Sequence, residues 1–207
     1  MTSRRPTLVF GGTFDPPHRV HADIARRAAD ILGAEEIWVI PAAVNPQRTG
    51  APPAPPDDRL AMTRIAFRHE PRARILDVEI RRGGPSYTID TLRELRAKDD
   101  RPMRLLIGSD QALNFPTWRS WRDVAELAPP AIVLRPPHDA ATFARDATAA
   151  FGPEAPAWIE RVLPIPPVDM SATDVRLGVA RGASTSRELD DEVAGYVREH
   201  RLYESRG

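Results

Sequence analysis

The sequence predicts an α/β protein built on a doubly wound, mostly parallel sheet of five to six strands, with a small helical part at about residues 165–207. Two observations predict this class. Short apolar runs of strand length alternate along the chain with segments whose apolar residues recur every three or four positions. The links between the first of these segments are short, which favours parallel strands and right-handed crossovers. Because 207 residues fit one domain, we expect a single domain over residues 1–207.

The first forty residues predict a strand–helix–strand unit. Residues 7–10 (TLVF) are a buried strand that ends at a glycine pair, and residues 36–40 (EIWVI) are a second one. Between them, residues 18–32 are expected to form a helix that Gly33 stops. One face of this helix carries an apolar residue every four positions: Val20, Ile24, Ala28 and Leu32.

The alternation then continues to the end of the chain. Helices are predicted at 58–69, 86–98, 121–127, 141–150, from 171 onward and at 190–200, and strands at 75–80, 103–107, 131–134 and 158–163. Ser86 is expected to cap its helix. Residues 41–57, rich in proline and small side chains, predict a loop that either serves the substrate or only connects two elements.

Composition excludes several classes of protein. There is no cysteine, which excludes a disulfide scaffold, a thiolate metal site and a cysteine nucleophile. Lys+Arg and Asp+Glu both number 29, so we expect neither a nucleic-acid nor a membrane partner. No apolar run could span a bilayer and the start is unlike a signal peptide, so we expect a cytoplasmic protein. Since Lys98 is the only lysine, a cationic phosphate ligand must be arginine or protonated histidine.

Residues 11–21, GGTFDPPHRVH, follow the first strand, where ligands of open parallel sheets bind. Gly11 and Gly12 let backbone approach a ligand, and Thr13 adds a hydroxyl. His18 and His21 lie three apart on the first helical turn, next to its unpaired N–H groups. This combination favours a phosphate site over two surface histidines or a two-histidine metal site. The chain has neither G-x-G-x-x-G after this strand nor a P-loop motif, which disfavours a dehydrogenase and a P-loop NTPase.

At these residues the sequence resembles a known family, the bacterial nicotinate-nucleotide adenylyltransferases of the nucleotidylyltransferase superfamily. GGTFDPPHRVH resembles the GGTFDPxHxGH signature. Three further segments resemble the family in the same order: PSYTIDTL (85–92), IGSDQALNFPTW (107–118) and SATDVR (171–176). The resemblance implies a Rossmann-like nucleotidylyltransferase fold and a reaction in which nicotinate mononucleotide and ATP give nicotinate adenine dinucleotide and pyrophosphate, within NAD biosynthesis.

The resemblance also implies roles for residues. Catalysis would fall to His18, His21 and Arg176. ATP would be bound by Gly11, Gly12, Thr13, Phe14, Gly108, Asp110, Ser171 and Thr173. The mononucleotide would be bound by Arg48, Tyr87, Thr88, Trp118 and Arg135, with Trp118 stacked on the pyridine ring. Mg²⁺ is expected with ATP; Asp110 is left open between that ion and a ribose hydroxyl, and no metal site made by protein alone is predicted. The oligomeric state stays open, with a homodimer as one option.

Two positions depart from the family pattern. Val20 stands where the signature has the glycine of HxGH, and Gln47 replaces a histidine in the loop after the second strand. Val20 leaves three outcomes open: a shifted adenosine, a valine packed under the base, or an impaired site. Two alternative functions follow: the same transfer to nicotinamide mononucleotide, or a nucleotide-binding relative with little catalysis.

Overall fold

A computed structural model describes residues 4–47, 51–167 and 171–204. Within them, five strands form one sheet: β1 (Thr7–Gly12), β2 (Glu36–Pro41), β3 (Ala73–Ile75), β4 (Met103–Gly108) and β5 (Pro130–Val133). Every pairing is parallel, and the strand order is β3-β2-β1-β4-β5. The order reverses between β1 and β4, so a crevice opens beyond the carboxyl ends of these two strands. The predicted fold class is confirmed.

Helices cover both faces of this sheet. They are α1 (Arg19–Leu32), α2 (Pro56–Ala66), α3 (Val78–Arg82), α4 (Thr88–Lys98), α5 (Ser109–Leu113), α6 (Trp121–Leu127), α7 (Ala140–Phe151), α8 (Ala155–Ile159), α9 (Ala172–Ala180) and α10 (Asp191–Glu199). Side chains alternate across the strands, so Leu105 and Ile107 of β4 pack on the α4 side while Leu106 packs on the α1 side. Because both faces are buried, the strands are mostly apolar rather than alternating with polar residues, with Arg74 in β3 and Arg104 in β4 among the exceptions.

Alanines, rather than the larger apolar residues, form the buried face of α1. Ala25, Ala28 and Ala29 are fully buried against the sheet, which lets the helix approach closely. Val20 and Ile24, predicted to face inward, are only partly buried and instead reach the crevice beyond β1. The predicted stop is confirmed, since Gly33 adopts the left-handed conformation with φ 62° that ends a helix.

The C-terminal helices pack on α2 through a separate apolar cluster. Its buried members are Met62, Val175, Leu189, Val193, Ala194 and Val197. Two hydrogen bonds join this part to the start of α1: the Arg19 N–H donates to the Glu188 carbonyl over 2.8 Å, and Arg19 Nε donates to the Leu189 carbonyl over 2.7 Å. The segment after Leu163 therefore contacts the same end of α1 that carries the two histidines.

The strand predicted at 75–80 is wrong in most of its length. Strand β3 ends at Ile75, and residues 78–82 form α3. The six-residue pattern ILDVEI alternates as a strand does, but so short a run does not distinguish a strand from a single helical turn. Here the buried polar partner decides: the Glu79 carboxylate accepts a hydrogen bond from Thr91 Oγ1 over 2.6 Å, which a continuing edge strand would not provide.

The strand predicted at 158–163 is also wrong. Trp158 lies in α8, where its ring stacks on Phe151 with the centroids 4.1 Å apart. Only a single parallel bridge, between Ile132 and Val162, remains beside β5. The prolines at 164, 166 and 167 follow at once and cannot donate to a ladder, so pairing does not extend into a sixth strand.

Two of the predicted caps have different outcomes. Ser171 is the N-cap of α9, and its hydroxyl accepts from the Thr173 N–H over 3.1 Å, as expected. Ser86 does not cap α4, which begins one residue later than a Ser86 cap requires, with Tyr87 at the N-cap. Instead, the Ser86 hydroxyl accepts from the Ala43 N–H over 2.9 Å and so joins α4 to the loop after β2.

Candidate active site

One cavity of about 710 Å³ lies beyond the carboxyl ends of β1 and β4. Most of the predicted site residues line it: Gly11, Gly12, Thr13, Phe14, His18, His21, Tyr87, Thr88, Gly108, Asp110, Trp118 and Arg135. We call the part formed by Thr13, His18, His21 and Arg135 the phosphate end, and the part formed by Tyr87, Thr88, Trp118 and Arg119 the acceptor end. The structure thus brings together segments that are separated by more than a hundred positions in the sequence.

The glycine pair at the end of β1 serves two purposes. A Cβ on Gly11 would meet nothing within 4 Å, so the space above this residue is open to a ligand. A Cβ on Gly12 would lie 3.1 Å from the Phe14 ring. That ring is 3% exposed and packs edge-on against Phe10 and Phe67. Phe14 is therefore held by apolar contacts while it lines the cavity, and its expected contact with the nucleotide stays a prediction.

The two histidines form a stacked pair at the start of α1. His18 is the N-cap, 3% exposed, and its ring centroid lies 3.7 Å from that of His21. The His18 backbone N–H donates to His21 Nδ1 over 3.1 Å. Since Nδ1 accepts this bond, neutral His21 carries its proton on Nε2. His18 Nδ1 is buried and makes no hydrogen bond with any described residue.

Burial keeps both imidazoles neutral at pH 7 when the cavity holds no anion. It lowers the pKa of His18 to about 4, with the positive charge of Arg135 as a second cause. The pKa of His21 is lowered well below its usual value by burial first, and then by His18 and Arg135. In the free protein the histidines are therefore neutral hydrogen-bonding groups rather than cations, and Arg135 supplies the positive charge at the phosphate end.

The end of β4 brings a carboxylate to the same cavity. A Cβ on Gly108 would lie 2.5 Å from Asp110 Oδ1 and 2.9 Å from Arg135 Cδ, so only glycine lets these two side chains converge here. The Arg135 backbone N–H donates to Ser109 Oγ over 3.1 Å, which fixes the chain after β5 to the start of α5. Asp110 and Arg135 thus lie on neighbouring strand ends, as the parallel topology predicts.

The acceptor end combines a helix N-terminus with aromatic rings. Tyr87 is the N-cap of α4 and Thr88 its first residue, and no side chain makes a capping hydrogen bond there. Trp118 is partly buried, with its ring stacked on Phe115 at a centroid distance of 4.7 Å. Its indole Nε1 is buried without a hydrogen-bond partner among the residues described. Buried Glu79 also lines the cavity, and burial raises the pKa of this carboxyl.

Three of the predicted site residues that the structure describes do not line the cavity. Ser171, Thr173 and Arg176 belong to the start of α9, which meets the glycine-rich loop at Asp15 instead. There Arg176 Nη1 donates to the Asp15 carbonyl over 2.8 Å, and Nη2 donates to Thr173 Oγ1 over 3.1 Å. Arg48 lies outside the described residues. The histidine pair and Arg176 are therefore connected through the loop between them rather than by a shared wall of the cavity.

Arg59 supports the site in a way that the sequence did not reveal. Its side chain is fully buried, and its guanidinium donates to three backbone carbonyls. Nη1 donates to Thr13 over 2.7 Å, Nε to Ala54 over 2.9 Å and Nη2 to Ala43 over 3.1 Å. These carbonyls belong to the glycine-rich loop, the loop after β2 and the residues before α2. In the sequence, the position of this arginine next to the apolar residues Leu60 and Met62 could have indicated that it is buried. It does not indicate which carbonyls the guanidinium binds.

Tyr203 holds the same loop from the other end of the chain. Its hydroxyl donates to Asp15 Oδ1 over 2.8 Å, and the Ala54 N–H donates to the same oxygen over 3.0 Å. The Asp15 residue is 2% exposed, and its carboxylate contacts Tyr203, Ala54 and, at 3.6 Å, Arg176 Nη1, all of them distant in sequence. Nothing in the sequence near residue 203 indicates a contact with the glycine-rich loop.

The comparisons with known proteins agree with this geometry. A family model described as "Cytidylyltransferase-like" matches residues 9–178. A protein of Chromobacterium violaceum named "Probable nicotinate-nucleotide adenylyltransferase" is 37% identical over 205 residues, covering 94% of this chain and 97% of that protein. A protein of the same name from Symbiobacterium thermophilum is 38% identical over 196 residues, covering 94% and 93%. The chain belongs to the nicotinate-nucleotide adenylyltransferase family.

A solved structure of an adenylyltransferase has the same fold. The Plasmodium falciparum nicotinic acid mononucleotide adenylyltransferase, solved in complex with NaAD, matches with a TM-score of 0.75 at 15% identity, covering 96% of this chain and 97% of that one. At this identity the likeness concerns the fold alone. It confirms the Rossmann-like nucleotidylyltransferase fold, and the family resemblance inferred from the four motifs is confirmed by the relatives.

Both departures from the nicotinate-nucleotide adenylyltransferase signature lie at the cavity. Val20, on the first turn of α1, lines it beside His21. Gln47 also lines it, and its Nε2 donates to Thr117 Oγ1 over 3.3 Å. The loop after β2 therefore reaches across to the residues before Trp118. No described helix is both long and apolar enough to cross a membrane.

Proposed function

We propose that this chain transfers the adenylyl group of ATP to nicotinate mononucleotide and releases pyrophosphate. One observation carries this proposal: a single cavity joins an anion-binding end to an end with aromatic rings and a helix N-terminus. The first suits a triphosphate, and the second suits a planar ring that carries a carboxylate. The names of the relatives support the same reaction. NAD biosynthesis, small-molecule partners and a cytoplasmic location follow from this proposal.

The reaction needs positioning and charge stabilisation rather than a covalent intermediate. An oxygen of the mononucleotide phosphate forms a bond to the α-phosphorus of ATP. The bond from that phosphorus to its bridging oxygen breaks, and the electron pair leaves with pyrophosphate. Negative charge develops on the α-phosphate oxygens, and fixed donors around them lower the barrier.

The phosphate end offers such donors. In our proposal, His21 donates from Nε2 and His18 uses the ring nitrogen that has no partner among the described residues. The hydroxyl of Thr13 and the charge of Arg135 complete this end. A bound polyanion favours the protonated form of both imidazoles, so ATP would raise the two depressed pKa values and take up protons.

The remaining expected roles belong to the same proposal. The backbones of Gly11, Gly12 and Gly108 would lie against the nucleotide, with Phe14 beneath. Ser171, Thr173 and Arg176 would reach the leaving phosphates from the start of α9, and Arg176 would then exchange its bond to the Asp15 carbonyl for a phosphate oxygen. Arg48 would reach the substrate from the loop after β2.

Mg²⁺ would enter with ATP as part of the substrate. The described residues contain no group of three or more histidine, aspartate or glutamate side chains able to hold a metal ion. Asp110 is a single exposed carboxylate at the cavity. One carboxylate and several phosphate oxygens form a ligand set that Mg²⁺ accepts, so the residues fit an ion carried by the triphosphate.

A paired-substrate assay tests the proposal. Pyrophosphate release is measured with ATP and Mg²⁺, and with either nicotinate or nicotinamide mononucleotide. We expect kcat/KM to be at least about a hundredfold higher for the nicotinate substrate. A preference for the nicotinamide substrate would establish the alternative acceptor. Tight ATP binding with no turnover of either substrate would instead indicate a silent nucleotide-binding protein, in which Val20 has impaired the site.

A further inference from the structure

Arg119 is a cation at the acceptor end that no motif of the sequence explains. It follows Trp118 directly and lines the cavity together with Tyr87 and Thr88. Its guanidinium carbon lies 4.9 Å from the centre of the Tyr87 ring. Arg119 Nη1 lies 3.4 Å from Asp90 Oδ2, and the Arg119 side chain is 58% exposed. The charge is therefore held above the first turn of α4, the part of the cavity that suits a carboxylate.

The ion pair with Asp90 leaves most of this guanidinium available. The contact with Asp90 involves one nitrogen at the long distance of 3.4 Å, whereas a guanidinium has five donors. Of the other carboxyls nearby, Glu79 is occupied by the Thr91 hydroxyl over 2.6 Å. Asp110 lines the cavity at the end of β4, next to Arg135. The acceptor end thus has an arginine charge over the Tyr87 ring, and among the described residues one long contact with the Asp90 carboxylate offsets it.

We propose that Arg119 selects the acidic acceptor by placing its guanidinium against the carboxylate of the pyridine ring. This inference rests on the proposed function and deepens it, because it assigns the choice between nicotinate and nicotinamide mononucleotide to one side chain. A carboxylate gains a charge-assisted, bidentate partner there, whereas a carboxamide offers no negative charge and turns an N–H₂ group toward a cation. The N–H groups at the start of α4 likewise favour the carboxylate over the carboxamide, because they carry partial positive charge.

Arg122 provides a matched control three residues further on. Its guanidinium carbon lies 4.1 Å from the centre of the Trp121 ring, and Nη2 lies 3.4 Å from Glu154 Oε1. Both arginines are thus exposed, lie over an aromatic ring and have one weak carboxylate partner. Only Arg119 lines the cavity. A difference in activity between Arg119→Ala and Arg122→Ala therefore arises from the position of Arg119 in the cavity, and not from the loss of any surface arginine.

The experiment measures kcat/KM for both mononucleotides in wild type, Arg119→Ala and Arg122→Ala. We expect Arg119→Ala to lower the ratio of nicotinate to nicotinamide activity about tenfold, through a higher KM for the nicotinate substrate, with the KM for ATP unchanged. Arg122→Ala should keep the wild-type ratio. An unchanged ratio in Arg119→Ala, in a protein that melts like wild type, overturns the proposal.

Asp90→Asn separates charge recognition from a merely structural role. If Arg119 only stabilises the turn through its ion pair, Asp90→Asn and Arg119→Ala lower the ratio together. If its charge meets the carboxylate, Asp90→Asn removes a negative charge and raises the ratio, so the two variants act in opposite directions.

Calorimetry of the two mononucleotides with the same proteins gives an answer without turnover. Weaker binding of nicotinate mononucleotide to Arg119→Ala than to wild type supports the inference, even if the protein does not turn over. Absence of turnover together with this weaker binding would overturn the proposed function but not the inference. Catalytic transfer with an unaltered ratio in Arg119→Ala ends this inference alone. Failure of wild type to bind either mononucleotide overturns both.

Discussion

His18 and Arg119 line the same cavity, but His18 is 3% exposed and the Arg119 side chain is 58% exposed. At the phosphate end, Thr13 and His18 lie on or next to a loop that Arg59 and Tyr203 contact from distant segments. At the acceptor end, an arginine at the surface contacts Tyr87 and Asp90 at the start of α4. From this difference we expect the fold to hold the phosphate end rigidly, whereas side chains at the acceptor end can be exchanged at little cost to stability.

The largest effect expected at the phosphate end comes from His21→Ala. Removing a donor aimed at the reacting phosphate should lower kcat about a thousandfold, while the far-ultraviolet circular dichroism stays like that of wild type. His200→Ala is the control, because this histidine is exposed and stacks on Tyr196 away from the cavity. If His21→Ala turns over at the rate of His200→Ala, the histidine pair has no part in the transfer.

Arg59→Leu tests whether the loop is held from below. Three carbonyls, one buried and two partly buried, lose their donor, so we expect the free energy of unfolding in urea to fall by about 3 kcal/mol or more. Arg64→Leu, an exposed position on the same helix, should change it by less than about 0.5 kcal/mol. Equal stability of the two variants would remove Arg59 as the support of the phosphate end.

Acidification should lower the free energy of unfolding because His18, at the phosphate end, is buried in its neutral form. The pKa of His18 is about 4 in the folded protein, below the ordinary value of 6.5. Between these values the unfolded chain binds a proton that the folded protein does not, so stability falls as the pH falls. The full loss from pH 7 to pH 4 is about 3 kcal/mol. Urea unfolding of His18→Gln should lack this part of the pH dependence, and the prediction is wrong if both proteins lose stability in parallel.

Tyr203→Phe should give the smallest effect of the series and sharpen the contrast between the two ends. Losing one hydrogen bond to the Asp15 carboxylate is worth about 1 kcal/mol, so we expect the KM for ATP to rise about fivefold. The KM for the mononucleotide should not change. Tyr196→Phe is the matched control, since its hydroxyl donates to Asp58 instead. A rise in both KM values would mean that Tyr203 supports the whole cavity rather than its phosphate end.

The sequence predicted the fold from local pattern, and it failed where the pattern was short. Buried strands of four to six residues and the stop at Gly33 were predicted correctly because their signals lie within the element. The strand predicted at 75–80 was wrong because burial of Glu79 depends on Thr91, twelve residues away. The sixth strand was wrong because Trp158 packs on Phe151 within a helical turn.

The candidate site divides in the same way. Twelve of the sixteen predicted site residues line one cavity, since parallel strands bring their carboxyl ends to one edge of the sheet. The roles of these residues stay predictions. The sequence did not predict the residues that support the loop, Arg59 and Tyr203, because their contacts are distant in sequence. Arg59 contacts Thr13 across 46 positions, and Tyr203 contacts Asp15 across 188. The place of Arg176 beside Asp15 depends equally on how α9 docks, which no local pattern specifies.

The bond between Tyr203 and Asp15 also bears on how the protein is made. A ribosome releases the glycine-rich loop early and residue 203 almost two hundred positions later. During synthesis the hydrogen bond between the Tyr203 hydroxyl and the Asp15 carboxylate therefore cannot form until residue 203 has left the ribosome, long after the loop that carries Asp15. We expect a chain shortened to end before Tyr203 to hold this loop less firmly.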